Sequence, residues 1–132
     1  MENNVPLDAT LPKSERLSSR KSIETLFASG HQSFSAYPLR AVFLPTEESG
    51  VCVLFSVSKR HFKRAVRRNR IKRQLREAYR LNKQMLTPAH GGAHVAFLWG
   101  NNQELPTAEV FQRMQTLLRR IHESLQSGEP SV

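Results

Sequence analysis

Apolar and polar residues alternate along "VCVLFSVS", residues 51–58. Val51, Val53, Phe55 and Val57 fall on one side, and Cys52, Leu54, Ser56 and Ser58 on the other. A period of two is that of a β-strand. The second side grows polar toward its end, which predicts a sheet face only partly covered. "LRAVFL", residues 39–44, repeats the pattern with Leu39, Ala41 and Phe43 together, and Pro45 with "EESG" after it signals a turn. The whole stretch 31–58 reads as strand-like, and "AHVAFLWG", residues 93–100, as a further strand. Elsewhere the period is helical. Ile23, Leu26 and Phe27 share one face of a helix expected over 18–29, with Gly30 as its stop. A second helix is expected over 64–85, before the break "TPAHGG" at 87–92. After "NNQELP", Thr107 is the expected N-cap of a helix reaching Gln126, in which Val110, Met114, Leu117, Leu118, Ile121 and Leu125 form a core-facing stripe. The order helix, strands, helix, strand, helix predicts an α+β fold, a two-layer α/β sandwich on a mainly antiparallel or mixed sheet. One domain over 14–126, with polar tails at 1–13 and 127–132, suits the length of 132 residues.

Charge sharpens this picture. The net charge is +9, but Lys59 to Lys83 alone carries twelve Lys or Arg against the single acid Glu77. The rest of the chain is slightly acidic. A near-neutral domain with one intensely basic element points to a polyanion partner: RNA, DNA or an acidic membrane surface. On a helical wheel over 64–82, Ile71, Leu75, Ala78 and Asn82 fall in a narrow sector, with Tyr79 at its edge, and predict the packing face. Asn69, Arg73, Arg76 and Arg80 fall opposite and form a ridge, flanked by Arg70 and Lys72. Arg64, Arg67 and Arg68 lie one or two turns earlier and are expected to extend beyond the body of the domain. Arginine forks bind phosphate oxygens in pairs, and Asn69 adds a neutral donor and acceptor. A solvated face usually alternates in sign, and this one does not.

Chemistry-bearing residues are sparse. Cys52 is the single cysteine, which excludes an internal disulfide and fits a reducing compartment. The first sixteen residues lack the apolar core of a signal peptide, and the longest apolar runs are far too short to span a bilayer, so a cytoplasmic setting is expected. His90 and His94 have a ligand-like spacing, but Gly91 and Gly92 between them argue against a helix, and neither Cys nor clustered carboxylates lie nearby. No serine sits in a nucleophile elbow and no glycine-rich phosphate loop occurs. The catalytic and metal-site expectation is therefore none. A membrane-surface helix fits poorly, since the apolar sector is small and lacks aromatic anchors. A DNA reader would call for a bracing second helix. Composition does not say which RNA is bound, and a general structured-RNA-binding or ribosome-associated protein remains an open reading.

"FSVSKRHFKRAVRRNRIKRQLREAYR", residues 55–80, resembles the signature of the bacterial ribonuclease P protein subunit. In that family a strand ending in Ser-Val-x-Lys, here Ser56, Val57, Ser58 and Lys59, leads into a helix carrying Arg-Asn-Arg, here Arg68, Asn69 and Arg70. Ile71, Lys72, Arg73, Arg76 and Glu77 continue the pattern, and similarity extends over residues 11–126. The resemblance implies an RNA catalyst that removes the 5′ leader of precursor tRNA, with Mg2+ held mainly by RNA and no cofactor bound by the protein alone. It implies that Lys59, Arg64, Arg67, Arg68, Asn69, Arg70, Lys72, Arg73, Arg76 and Arg80 meet the catalytic RNA. Ile23, Phe27, Ser56 and Ser58 would line the leader cleft, Ile23 and Phe27 standing where the family often carries two aromatics. A left-handed crossover around the basic helix is also implied, and the isolated protein is expected to be inactive. Neither DNA nor membrane is an expected partner.

Overall fold

The computed structural model describes residues 11–28, 32–88 and 91–126. Four strands form one mixed sheet: β1 (Gln32–Ala36), β2 (Leu39–Thr46), β3 (Gly50–Val57) and β4 (Gly92–Trp99), in the spatial order β1-β2-β4-β3. The β1/β2 and β2/β4 pairs are antiparallel, and β3/β4 is parallel. A parallel neighbour cannot be reached by a tight turn. The chain makes the crossover from β3 to β4 through α2 (Ala65–Asn82), the basic helix. Helix α1 (Arg20–Ala28) precedes the sheet and α3 (Thr107–Gln126) ends the described chain. The architecture is the α+β arrangement that the periodicity predicts.

The alternation in β3 divides the molecule. Val53 and Val57 join Leu39, Ala41, Phe43, Val95 and Phe97 on the face covered by α2 and α3, where Ile71, Leu75, Ala78, Tyr79 and the α3 stripe complete the main core. The opposite face carries a smaller cluster of Leu17, Leu26, Val42 and Ala96, with Ile23, Cys52, Leu54 and Leu98 packed beside it. One short helix lies over that face, so part of it stays open.

Local details depart from expectation for identifiable reasons. Helix α1 begins at Arg20 rather than at 18, because the Ser19 hydroxyl accepts from the Ser22 N–H at 3.3 Å and caps it. Its expected stop, Gly30, lies outside the described residues. Strand β2 runs through Pro45, where the sequence predicts a turn. Pro45 pairs with Ala93 of β4, and among the described residues its pairing with β1 ends at Phe43, so its missing N–H forfeits no bond to a described β1 residue. Thr107 is the first residue of α3 and not its cap. The Pro106 carbonyl accepts from Val110 N–H at 3.1 Å, while the Thr107 hydroxyl accepts from Gln74 at 3.3 Å. Helix α2 starts at Ala65 and tightens into a 3-10 turn at Lys83–Met85, all within the expected span. The packed domain begins earlier than residue 14. Leu11 is 1% exposed in the main core, and Arg16 and Leu17 run beside Val53 on the outer edge of β3. The rest of the first tail, residues 1–10, and the second tail, 127–132, lie outside the described residues. Parallel pairing of β3 with β4 starts at Gly50 and Gly92, where a Cβ on Gly92 would overlap the Gly50 carbonyl oxygen.

Candidate nucleic-acid interface

Helix α2 buries Ile71, Leu75, Ala78 and Asn82 and turns most of its cations to solvent. Arg64, Asn69, Arg70, Arg73 and Arg76 are exposed, and Lys72 is half-buried. The ridge separates two depressions. On one side Lys72 and Arg76 border a cavity of about 270 Å3 with Leu11, Arg16, Leu17 and Phe55. On the other, Arg70 and Arg73 border a cavity of about 490 Å3 with Gln74, Glu77 and Thr107. Among the described residues, Arg64, Arg73 and Arg76 have no acidic partner within 4.0 Å. The first turn of α2 holds no acid, and Arg64 at its N-cap makes no side-chain cap. Cations at the positive end of a helix dipole are unfavourable until an anion arrives.

Four arginines already have partners within the protein. Arg80, expected on the ridge, is buried, with 8% exposure. Its Nε–H donates to Glu77 Oε1 at 3.3 Å, a second guanidinium nitrogen pairs with Glu77 Oε2, and the side chain lines a cavity with Tyr79 and Lys83. A wheel gives the direction of the Cα–Cβ bond, and a long side chain can leave it. Arg68 donates to the carbonyls of Phe62 at 2.7 Å and Lys63 at 2.9 Å, so it fastens the loop that enters α2. Arg67 lies over the Phe62 ring at 5.3 Å and donates to Glu104 Oε2 at 3.0 Å, and Arg70 reaches the other oxygen of Glu104 at 3.4 Å. The Glu104 pairs span 37 and 34 residues, and no local pattern in "NNQELP" announces them. Lys59 is exposed in the turn after β3.

The second sheet face holds the other expected site. Cross-strand register places Ser35, Arg40, Leu98 and Ser56 in one row, from β1 to β3. Ser35 and Arg40 are exposed, while Leu98 and Ser56 are half-buried. Phe27 is 41% exposed at the end of α1, so it is not a core residue. Ile23 is half-buried against the small cluster and serves packing. Ser58 is exposed, and its hydroxyl accepts from the Arg60 N–H at 3.0 Å, which engages it in the turn. Arg40 is absent from the expected cleft residues, although its alternation with Leu39 and Ala41 sets it on this face. Of the ligand-spaced histidines, His94 lies in β4 between Leu44 and Cys52, and His90 lies outside the described residues. Burial, with Glu15 and Glu48 adding, raises the Cys52 thiol above its ordinary range. Burial raises the Tyr79 phenol too, so both stay neutral at physiological pH.

A protein-family model described as Ribonuclease P matches residues 11–122. The chain belongs to the ribonuclease P protein family. It is 44% identical over 119 residues to the ribonuclease P protein component of Porphyromonas gingivalis strain W83, covering 84% of this chain and 85% of that one. It is 35% identical over 129 residues to the ribonuclease P protein component of Chlorobium phaeobacteroides, with 86% of each chain covered. The fold is similar to that of the Staphylococcus aureus RNase P protein, with a TM-score of 0.70 at 18% identity over 82% of this chain and 95% of that one. The Thermotoga maritima RNase P protein gives 0.67 at 23% identity over 81% and 97%. Membership makes the chain a protein subunit of ribonuclease P, the RNA–protein enzyme of tRNA processing, with RNA as its partner. Among the described residues, no helix is long and apolar enough to cross a membrane.

Proposed function

We propose that the solvent face of α2 binds the catalytic RNA of ribonuclease P. In the same reading, the open end of the second sheet face, together with the exposed Phe27 of α1, receives the single-stranded 5′ leader of precursor tRNA. The observation that carries the proposal is the set of exposed arginines, Arg64, Arg73 and Arg76, without acidic partners among the described residues. Their planar forks suit paired phosphate oxygens, and Asn69 suits a sugar hydroxyl or base edge. Arg68 acts one step back, by holding the loop from which α2 starts, and Arg80 does not belong to the RNA face.

The leader is a flexible single strand of variable sequence, which calls for stacking platforms together with sparse charge. Phe27 supplies an aromatic face, Leu98 an apolar floor, Ser56 a hydroxyl, and Arg40 a cation within reach of a backbone phosphate. The reaction is hydrolysis of the phosphodiester bond between leader and mature tRNA, in a cytoplasmic setting. No three of His, Cys, Asp or Glu stand together as a metal-ligand cluster among the described residues, and magnesium is commonly held largely by water and phosphate oxygens. The ion is assigned to the RNA subunit, and the protein's part is to bind and orient.

The test is reconstitution. Rigorously RNA-free protein is expected to cleave no precursor tRNA at physiological magnesium, and addition of the cognate RNA subunit should restore cleavage at the leader junction. Correctly placed cleavage by the protein alone would overturn the reading.

A further inference from the structure

Glu104 is held in place from both sides. The Trp99 indole N–H donates to the Gln103 carbonyl at 3.0 Å, and Gln74 donates to the Leu105 carbonyl at 3.3 Å. Leu105 packs against the main core. Between these anchors the Glu104 carboxylate, 24% exposed, offers one oxygen to Arg67 and the other to Arg70, at 3.0 and 3.4 Å. These two arginines lie one turn apart at the start of α2, and their side chains remain 51% and 62% exposed. The carboxylate uses the Arg67 Nε–H and an Arg70 Nη1–H, which leaves the other guanidinium donors open. Together the three side chains carry +1 rather than +2.

We propose that Glu104 is a specificity-determining residue that restrains sequence-blind binding of polyanions at the entry of α2, while presenting Arg67 and Arg70 as a fixed pair to a folded RNA. The proposal rests on the reading of α2 as the RNA-binding face and adds a regulator to it. An unstructured polyanion binds by replacing counterions with arginines, and a guanidinium already offset by a carboxylate has less counterion to release. A folded RNA with phosphates at matching positions gains from the open donors of a pair already oriented, and loses less to the glutamate.

The experiment compares wild type, Glu104→Gln, Arg67→Ala/Arg70→Ala, and Arg67→Ala/Glu104→Gln, all as full chains. Each is titrated with a single-stranded uridine homopolymer and with the catalytic RNA. Glutamine keeps the size and the acceptor oxygen of the side chain, and thermal unfolding checks that the loop survives. Glu104→Gln should bind the homopolymer more tightly and with a steeper salt dependence, by up to about 0.7 in slope, the equivalent of one single-strand phosphate neutralised. Its advantage over wild type should then grow roughly threefold between ~200 and ~50 mM salt. Preference for the catalytic RNA over the homopolymer should fall, and the gain should vanish in Arg67→Ala/Glu104→Gln. An unchanged homopolymer affinity, or equal gains on both RNAs, overturns the role of Glu104. If Arg67→Ala/Arg70→Ala binds both RNAs like wild type, the underlying assignment of this turn to RNA is what fails.

Discussion

Leu26 is fully buried and Phe27 is 41% exposed, though they are neighbours on α1 and both are large and apolar. Helical spacing sets Ile23, Leu26 and Phe27 on one broad face, and α1 lies over a cluster too small to cover all three. Periodicity makes the helix legible, but it does not tell which of two adjacent apolar residues the sheet will cover. The exposed ring is available to a nucleobase, and stacking on an aromatic contributes about 1–3 kcal/mol per base. In the reconstituted holoenzyme, Phe27→Ala is expected to weaken binding of precursor tRNA while leaving mature tRNA nearly unaffected, with little change in thermal stability. Ile23→Ala should do the reverse, lowering stability more than leader affinity. Comparison of holoenzyme affinities for substrates with and without a leader decides it. An equal loss on both substrates removes the stacking role.

At the scale of the element, α2 joins two functions that its sequence makes separable. Its buried sector is readable because Ile71, Leu75, Ala78 and Asn82 recur at helical spacing, and all four are buried. The destinations of its arginines are not readable, since a guanidinium ends several bonds from the backbone and answers to partners elsewhere in the chain. Arg68 and Arg80 illustrate this from opposite ends of the helix, one on loop carbonyls and one on Glu77. Arg80→Ala is therefore expected to cost about 1–2 kcal/mol of folding stability, through poorer packing where its stem lies and removal of the ion pair. Glu77 is half-exposed and can be solvated when its partner is gone, which keeps the cost below that of a fully buried pair. The salt dependence of RNA binding should not change. Thermal unfolding combined with RNA titration checks both halves. A stable variant with weakened RNA binding would return Arg80 to the ridge.

Over the whole molecule, the sheet is the divider. One face is sealed by α2 and α3, and the other, under the short α1, stays partly open along the row Ser35, Arg40, Leu98 and Ser56. The alternation in residues 51–58 foretells that open end, because hydroxyls replace apolar residues toward Ser58. The sequence does not disclose what depends on distant pairing: the burial of Leu11, the reach of Glu104 from its turn to α2, or the pairing with β4 that admits Pro45 into β2. Each is fixed by strand order and register, which local periodicity does not encode. In the proposed function the outer face of α2 meets RNA phosphates. The most direct measurement is the affinity of RNA-free protein for the catalytic RNA across a range of salt, for wild type and for Arg73→Ala/Arg76→Ala. Both arginines are exposed and without acidic partners among the described residues, so the variant should keep its thermal stability. The predicted result is weaker binding with a salt slope shallower by up to about two units, one for each phosphate that is no longer neutralised. Unchanged affinity and slope in the folded variant would show that this face does not meet RNA phosphates.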